Sequence, residues 1–161
     1  MTTSLTDVVE PAQDLLFVCS SGGHLSQLMA ARPWWERHTR RWVTFNLTDA
    51  RTQLHDEHVI WAYHPTTRNI PNLVRNLGLA VRVLRTRRPD AIVSTGAAVA
   101  FPFFVLGRIL GIPTIYIEVV DRIDTPTLTG RLCRPFSTTF CVQLPVQLEV
   151  YPGATVIGPL I

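Results

Sequence analysis

Seven short apolar runs alternate with helix-patterned segments along this chain, and that alternation constrains its fold more than any other feature. The runs fall at 15–20, 42–46, 59–62, 91–94, 114–118, 139–142 and 155–157. Several are apolar almost without interruption, as parallel strands buried on both faces must be. Helical segments lie between them at 25–32, 71–87, 98–110 and 145–151. Pro71 suits the first turn of the segment at 71–87, and Pro89 stops it. The pattern predicts an α/β fold, a Rossmann-like doubly wound parallel sheet with right-handed crossovers. At 161 residues, 47% of them hydrophobic, the chain is long enough for one such domain with a full core. That domain is expected over 15–161, behind a flexible polar tail at 1–14.

In sheets of this kind, ligands gather at the carboxyl ends of the strands. The first run empties into Ser20-Ser21-Gly22-Gly23-His24, and a helical pattern opens at Leu25. Adjacent glycines let backbone N–H groups approach a ligand closely. A helix start adds unpaired donors and a positive dipole end. The turn therefore suits a phosphate or diphosphate, and His24 stands beside it as a residue type suited to proton transfer. The fourth run ends in Ser94-Thr95-Gly96-Ala97-Ala98, a second small-residue turn feeding a helix. The fifth ends at Glu118, followed by Val119-Val120-Asp121-Arg122. Along one sheet edge, these loops place two anion-binding turns, a carboxylate and an arginine around one crevice.

Each feature also has a structural reading. Strand–Gly–Gly–helix turns serve tight packing in many α/β proteins. His24 alone fits a helix start or a packing position, and Glu118 alone fits a solvent-facing strand end or a partner for Arg122. Neither a G-x-G-x-x-G spacing nor a P-loop Gly-Lys pair is present. The cations are fifteen arginines and no lysine, at a net charge of +3. That bias is read either as GC-rich coding or as the suitability of guanidinium for phosphate. Arg75, Arg82, Arg85, Arg87 and Arg88 make helix 71–87 basic, a solvated face by default and an anionic-lipid face in the alternative. Cys19, Cys133 and Cys141 show no CxxC or metal spacing and read as reduced, buried thiols of a cytosolic protein. The most apolar run, 97–106, is too short to span a bilayer and carries Pro102. The small net charge and the lack of an aromatic-basic motif speak against nucleic-acid binding.

Several segments, taken in order, carry a resemblance. They are Ser20-Ser21-Gly22-Gly23-His24, Arg68-Asn69-Ile70, Ser94-Thr95-Gly96-Ala97-Ala98 and Tyr116-Ile117-Glu118. Leu128-Thr129-Gly130-Arg131-Leu132, Val142-Gln143-Leu144-Pro145 and Tyr151-Pro152-Gly153 follow. The chain resembles the acceptor-binding subunit of the split UDP-N-acetylglucosamine transferase of dolichol-linked oligosaccharide synthesis. It is also similar to the bacterial exopolysaccharide proteins related to that subunit.

The resemblance implies a single half domain, the N-terminal half of a GT-B glycosyltransferase. It implies transfer of N-acetylglucosamine or another hexose from a UDP-sugar to a polyprenyl-diphosphate-linked saccharide, with inversion, no metal and no cofactor. A separate donor-binding subunit would hold the UDP-sugar. Attachment would be peripheral, on the cytoplasmic face of the plasma membrane. His24 is the first candidate for the catalytic base or a phosphate ligand, and Glu118 the second candidate base. Ser21, Gly22, Gly23, Arg68, Asn69, Ser94, Thr95, Gly96 and Arg122 are the substrate-binding candidates. Two departures from the eukaryotic pattern favour a bacterial-type protein making a surface polysaccharide. Segment 1–14 does not read as a membrane anchor, and the loop at Ser94 is less glycine-rich. The competing readings are a non-catalytic nucleotide-binding regulatory module and a scaffold that recruits a complete transferase to the membrane.

Overall fold

The computed structural model describes residues 11–160. The tail expected at 1–14 therefore lies mostly outside the described residues, and Asp14 already belongs to the first strand. Seven parallel strands form one sheet in the order β3-β2-β1-β4-β5-β6-β7. They are β1 (Asp14–Cys19), β2 (Thr39–Phe45), β3 (Val59–Ala62), β4 (Ala91–Gly96), β5 (Thr114–Ile117), β6 (Thr139–Val142) and β7 (Thr155–Val156). The sequence runs locate all seven. The order reverses between β1 and β4, which makes that line the topological switch point of the sheet.

Alternation along each strand explains why the runs are continuously apolar. In β1, Leu16 and Val18 enter one core, while Leu15, Phe17 and Cys19 enter the other. The first core is closed by α4 (Ile70–Thr86), α5 (Ala100–Ile109) and α6 (Leu128–Cys133), through Leu79, Val83, Phe103, Phe104 and Cys133. The second is closed by α1 (Gly23–Ala30), α2 (Arg32–Trp35) and α3 (Thr48–Gln53). There Phe17 stacks on Trp42 at 4.4 Å, and Trp35 donates its indole N–H to the Leu28 carbonyl at 2.7 Å. The helix expected at 145–151 is a 3₁₀ turn, Pro145–Glu149. Its Gln147 side chain accepts from the Gln143 and Leu144 N–H groups and donates to the Val119 and Arg122 carbonyls.

Helix α4 is amphipathic in an unusual sense. Asn72, Asn76, Leu79, Ala80, Val83 and Leu84 face inward. Its outer face is also apolar: Ile70, Leu73, Val74, Leu77 and Val81 are exposed, Ile70 by 73%. The two asparagines serve the site described next. Asn76 exchanges hydrogen bonds with the backbone of Tyr63 in both directions, at 2.9 Å each. Asn72 donates to the Pro65 carbonyl at 2.8 Å. Together they pin the loop between β3 and α4. Among the described residues, no helix is long and apolar enough to cross a membrane.

Candidate functional site

The turn after β1 and the turn after β4 meet directly. His24 Nδ1 lies 2.8 Å from the Thr95 carbonyl oxygen, and the Thr95 hydroxyl donates to the His24 carbonyl at 2.8 Å. A carbonyl only accepts, so Nδ1 carries a proton, which leaves Nε2 as the ring atom that can accept one. The ring rests on Gly96. A Cβ there would meet His24 Cε1 at 3.0 Å and the Tyr116 hydroxyl at 2.8 Å, and the backbone is left-handed at φ +120°. Ser94 is buried, and its hydroxyl accepts from the Gly96 N–H at 2.9 Å, which holds the turn.

His24 lines a cleft of about 630 Å³ at this edge of the sheet. Its other polar walls are Ser20, the segment His64 to Arg68 clamped by the α4 asparagines, and Thr129 at the start of α6. Three basic residues (His24, His64 and Arg68), four hydroxyls and no carboxylate line it. Arg68 is held at φ +51°, a left-handed conformation uncommon for a residue with a side chain. The cleft continues into an apolar groove of about 430 Å³ between α4 and α6. Ile70, Leu73, Phe101, Leu128 and Leu132 line that groove, and Arg68 and Thr129 stand at the junction.

The expected site residues do not all reach the cleft. His24 and Arg68 line the cleft, with Ala97 and Ala98 of the second turn. Thr95, Ser94 and Gly96 stand behind it and position His24. Asn69 caps α4, accepting from the Asn72 N–H at 2.9 Å, and borders the groove. Ser21, Gly22 and Gly23 are not on the cleft wall, and the Gly22 N–H is donated to Asp49 Oδ2 at 2.6 Å. A side-chain anion thus takes a backbone donor that the glycine turn offers. Arg122 is exposed, does not line the cleft, and is tied in through its carbonyl by Gln147.

Glu118 is fully buried and also absent from the cleft wall. Its carboxylate accepts from the Val119 N–H at 3.1 Å, from the Thr127 hydroxyl at 3.0 Å and from the Tyr151 phenol. Burial, then the carboxylate beside them, pushes the Tyr116 and Tyr151 phenols above the usual tyrosine range. Thr127 precedes Leu128 and Thr129, so the buried cluster sits directly behind one cleft wall. His64, Thr66, Thr67 and Thr129 are cleft residues that sequence reasoning missed. The run Leu128-Thr129-Gly130 was among the segments carrying the resemblance and was the one signal for Thr129; His64, Thr66 and Thr67 had none. Among the described residues, no cluster of three or more His, Cys, Asp or Glu could hold a metal.

No protein-family model matches the chain. Among curated proteins, it is similar to the UDP-N-acetylglucosamine transferase subunit ALG14. The mouse protein is 32% identical over 49% of this chain and 39% of its own length. The rat protein is 23% identical over 95% of this chain and 86% of its own. The UDP-N-acetylglucosamine–N-acetylmuramyl-(pentapeptide) pyrophosphoryl-undecaprenol N-acetylglucosamine transferase of Geobacillus kaustophilus is 28% identical over 53% of this chain and 25% of its own length. Among solved structures, Acinetobacter baumannii MurG superposes with a TM-score of 0.74 at 16% identity, over 94% of this chain and 46% of that one. A UDP-N-acetylglucosamine 2-epimerase from Rickettsia bellii shares the same half-fold, with a TM-score of 0.70 at 12% identity over 93% of this chain and 46% of that one. The chain thus spans about half the length of these solved proteins. It is a sequence relative of the ALG14 and MurG-type N-acetylglucosamine transferases, and it carries the fold of one half of a GT-B glycosyltransferase.

Proposed function

We propose that the chain is the acceptor-binding half of a two-component glycosyltransferase. It receives a polyprenyl-diphosphate-linked saccharide, and a separate donor-binding subunit brings a UDP-sugar, N-acetylglucosamine by the names of its relatives. The observation that carries the reading is the junction at Arg68. A cleft of basic and hydroxyl groups without a carboxylate opens there into an apolar groove. That is the shape of a ligand with a diphosphate at one end and a hydrocarbon chain at the other.

In this reading Arg68, His64 and the threonine hydroxyls hold the diphosphate, and the prenyl chain leaves between α4 and α6. His24 Nε2 takes the proton of the acceptor hydroxyl as that oxygen bonds to the anomeric carbon. The bond from that carbon to UDP breaks on the opposite face, so the configuration inverts. The exposed stripe of α4 lies against the membrane, flanked by arginines, and gives reversible peripheral attachment on the cytoplasmic face, the side expected to hold the UDP-sugar. The reading extends to a bacterial surface polysaccharide as the product.

The test is reconstitution. Sugar transfer is followed with the purified chain, its donor-binding partner, UDP-sugar and lipid-linked acceptor, omitting each in turn. Turnover is expected only with both proteins present. Full turnover by the chain alone sinks the two-component reading.

A further inference from the structure

The Ser21-Gly22-Gly23 turn has no role in the reading above, although its chemistry suits an anion. Both glycines are exposed, and a Cβ on either would find no atom within 4 Å. Nothing packs over the turn, so a phosphate would have room to approach. The first N–H groups of α1 have no acceptor within the helix, and the positive end of its dipole faces the turn.

One anion is already there. Asp49, in the first turn of α3, reaches across 27 residues to accept the Gly22 N–H at 2.6 Å. Its backbone is anchored, because Ala50 beside it is fully buried in the second core. Asp49 is half-buried, and among the described residues it pairs with no arginine or histidine. Its charge is met by the turn rather than by a cation. His64 and Arg68 stand apart from it, on the cleft wall that precedes α4. The site thus has a negative charge at the turn that leads into His24 and a positive one at Arg68.

We propose that Asp49 is a positioning residue for the acceptor: it closes the glycine turn to phosphate and reserves His24 for the uncharged saccharide end. A second anion at the turn would lose the Gly22 donor and meet a like charge at close range. The same diphosphate gains a guanidinium at Arg68. The acceptor then lies one way round, with its diphosphate at the groove and its hydroxyl towards Nε2. That orientation rests on the acceptor reading above, whereas closure of the turn does not.

Two arms test it, and the first needs neither partner nor activity. Inorganic diphosphate is titrated into the full chain, with chloride at matched ionic strength as control, and backbone amide shifts are followed. In the parent, saturable shifts are expected at 64–68 and none at Gly22 or Gly23. In Asp49→Asn and Asp49→Ala the turn amides are expected to shift saturably as well. Asp56→Asn, the same change of charge at an exposed acid away from the cleft, should keep the parent pattern. Saturable shifts at Gly22 and Gly23 of the parent overturn the closure. A turn that stays silent in both Asp49 variants assigns the closure to another group and overturns the role of Asp49. Silence at 64–68 overturns the orientation, while the turn amides still decide the closure.

The second arm adds the donor-binding partner, UDP-sugar and lipid-linked acceptor. Reversed binding ties up part of the enzyme, so kcat and the acceptor KM of Asp49→Asn are expected to fall together and leave kcat/KM near the parent's. Each should fall about fivefold, the value of one screened like-charge contact. A merely structural role lowers kcat/KM and the urea midpoint instead. Unchanged kcat and KM, with turn shifts gained, overturn the orientation. No turnover by the unaltered pair counts against the two-component reading, and the first arm then decides the closure.

Discussion

Gly130 lies so close to Glu118 that a Cβ on it would stand 2.5 Å from the carboxylate Oε2, 2.6 Å from the Tyr151 hydroxyl and 2.8 Å from Thr127 Oγ1. The buried cluster has closed over the one residue that carries no side chain. Gly130→Ala is therefore expected to cost about 1–3 kcal/mol, as overpacking of a closed core does. Gly78, in the middle of α4, has nothing within 4 Å of its would-be Cβ. Gly78→Ala should stabilise by about 0.5–1 kcal/mol. Urea unfolding of the two variants measures the difference. Equal midpoints would show that the Glu118 cluster yields easily.

His24→Ala tests the assignment of the base. With partner and acceptor supplied, kcat is expected to fall by about two to four orders of magnitude. Fold and partner binding should remain unchanged. A phosphate-binding imidazole would instead raise the acceptor KM. Glu118→Gln, measured beside it, should lower stability, because a buried acceptor for two hydroxyls and an amide loses its charge. Normal kcat in the histidine variant with collapse in a well-folded glutamine variant reverses the assignment.

Arg68 sets function against stability. Its left-handed backbone, φ +51°, costs about 1–2 kcal/mol for a residue with a Cβ. Glycine removes that cost at about 0.5–1 kcal/mol of chain entropy. Arg68→Gly should thus be as stable as the parent or slightly more so. Its affinity for the diphosphate acceptor should drop roughly tenfold to a hundredfold, the value of a charged hydrogen bond. An unchanged acceptor KM in this variant would remove Arg68 from the binding site.

Much of the fold was legible because the strands are buried on both faces. Leu15 to Cys19 fills two cores in alternation, and such a run can hardly be anything but an interior strand. Helix α4 was legible from Pro71 and Pro89. Helices α2, α3 and α6 were not, since four to six residues hold too few turns for a period to show. At the site, His24 stood out because strand, glycine turn and helix adjoin in sequence. The opposite wall did not. His64 and Arg68 reach the cleft because β3 lies two strands from β1 on one side, and Thr129 because α6 packs over α5 on the other. Glu118 was visible as the end of a strand, but its partners Thr127 and Tyr151 lie 9 and 33 residues away. Only the folded chain shows that they enclose it.

The buried thiols give a pH signature. Burial pushes Cys19 and Cys133 from 9.0 up to about 12. Between those values the unfolded chain releases protons that the folded chain keeps, so the unfolded state is favoured and stability falls as pH rises through that window. Tyr116 and Tyr151 act in the same direction above 10. Urea midpoints across the alkaline range should decline, and Cys19→Ala/Cys133→Ala should flatten the slope even where it lowers every midpoint. A slope identical to the parent's would mean that the thiols ionise freely in the native state.

The two-way bond between His24 and Thr95 crosses the line where the sheet reverses its strand order. Widening the crevice along that line means breaking both bonds and lifting the imidazole off Gly96. The floor of the site is therefore its rigid part. Room for a bulky saccharide has to come from the outer wall at the start of α6, since the segment at 63–69 is itself clamped by Asn72 and Asn76. Breathing at the entrance and aim at the reacting atom are thus assigned to different parts of the chain, and a guest can be admitted without disturbing the ring that meets it.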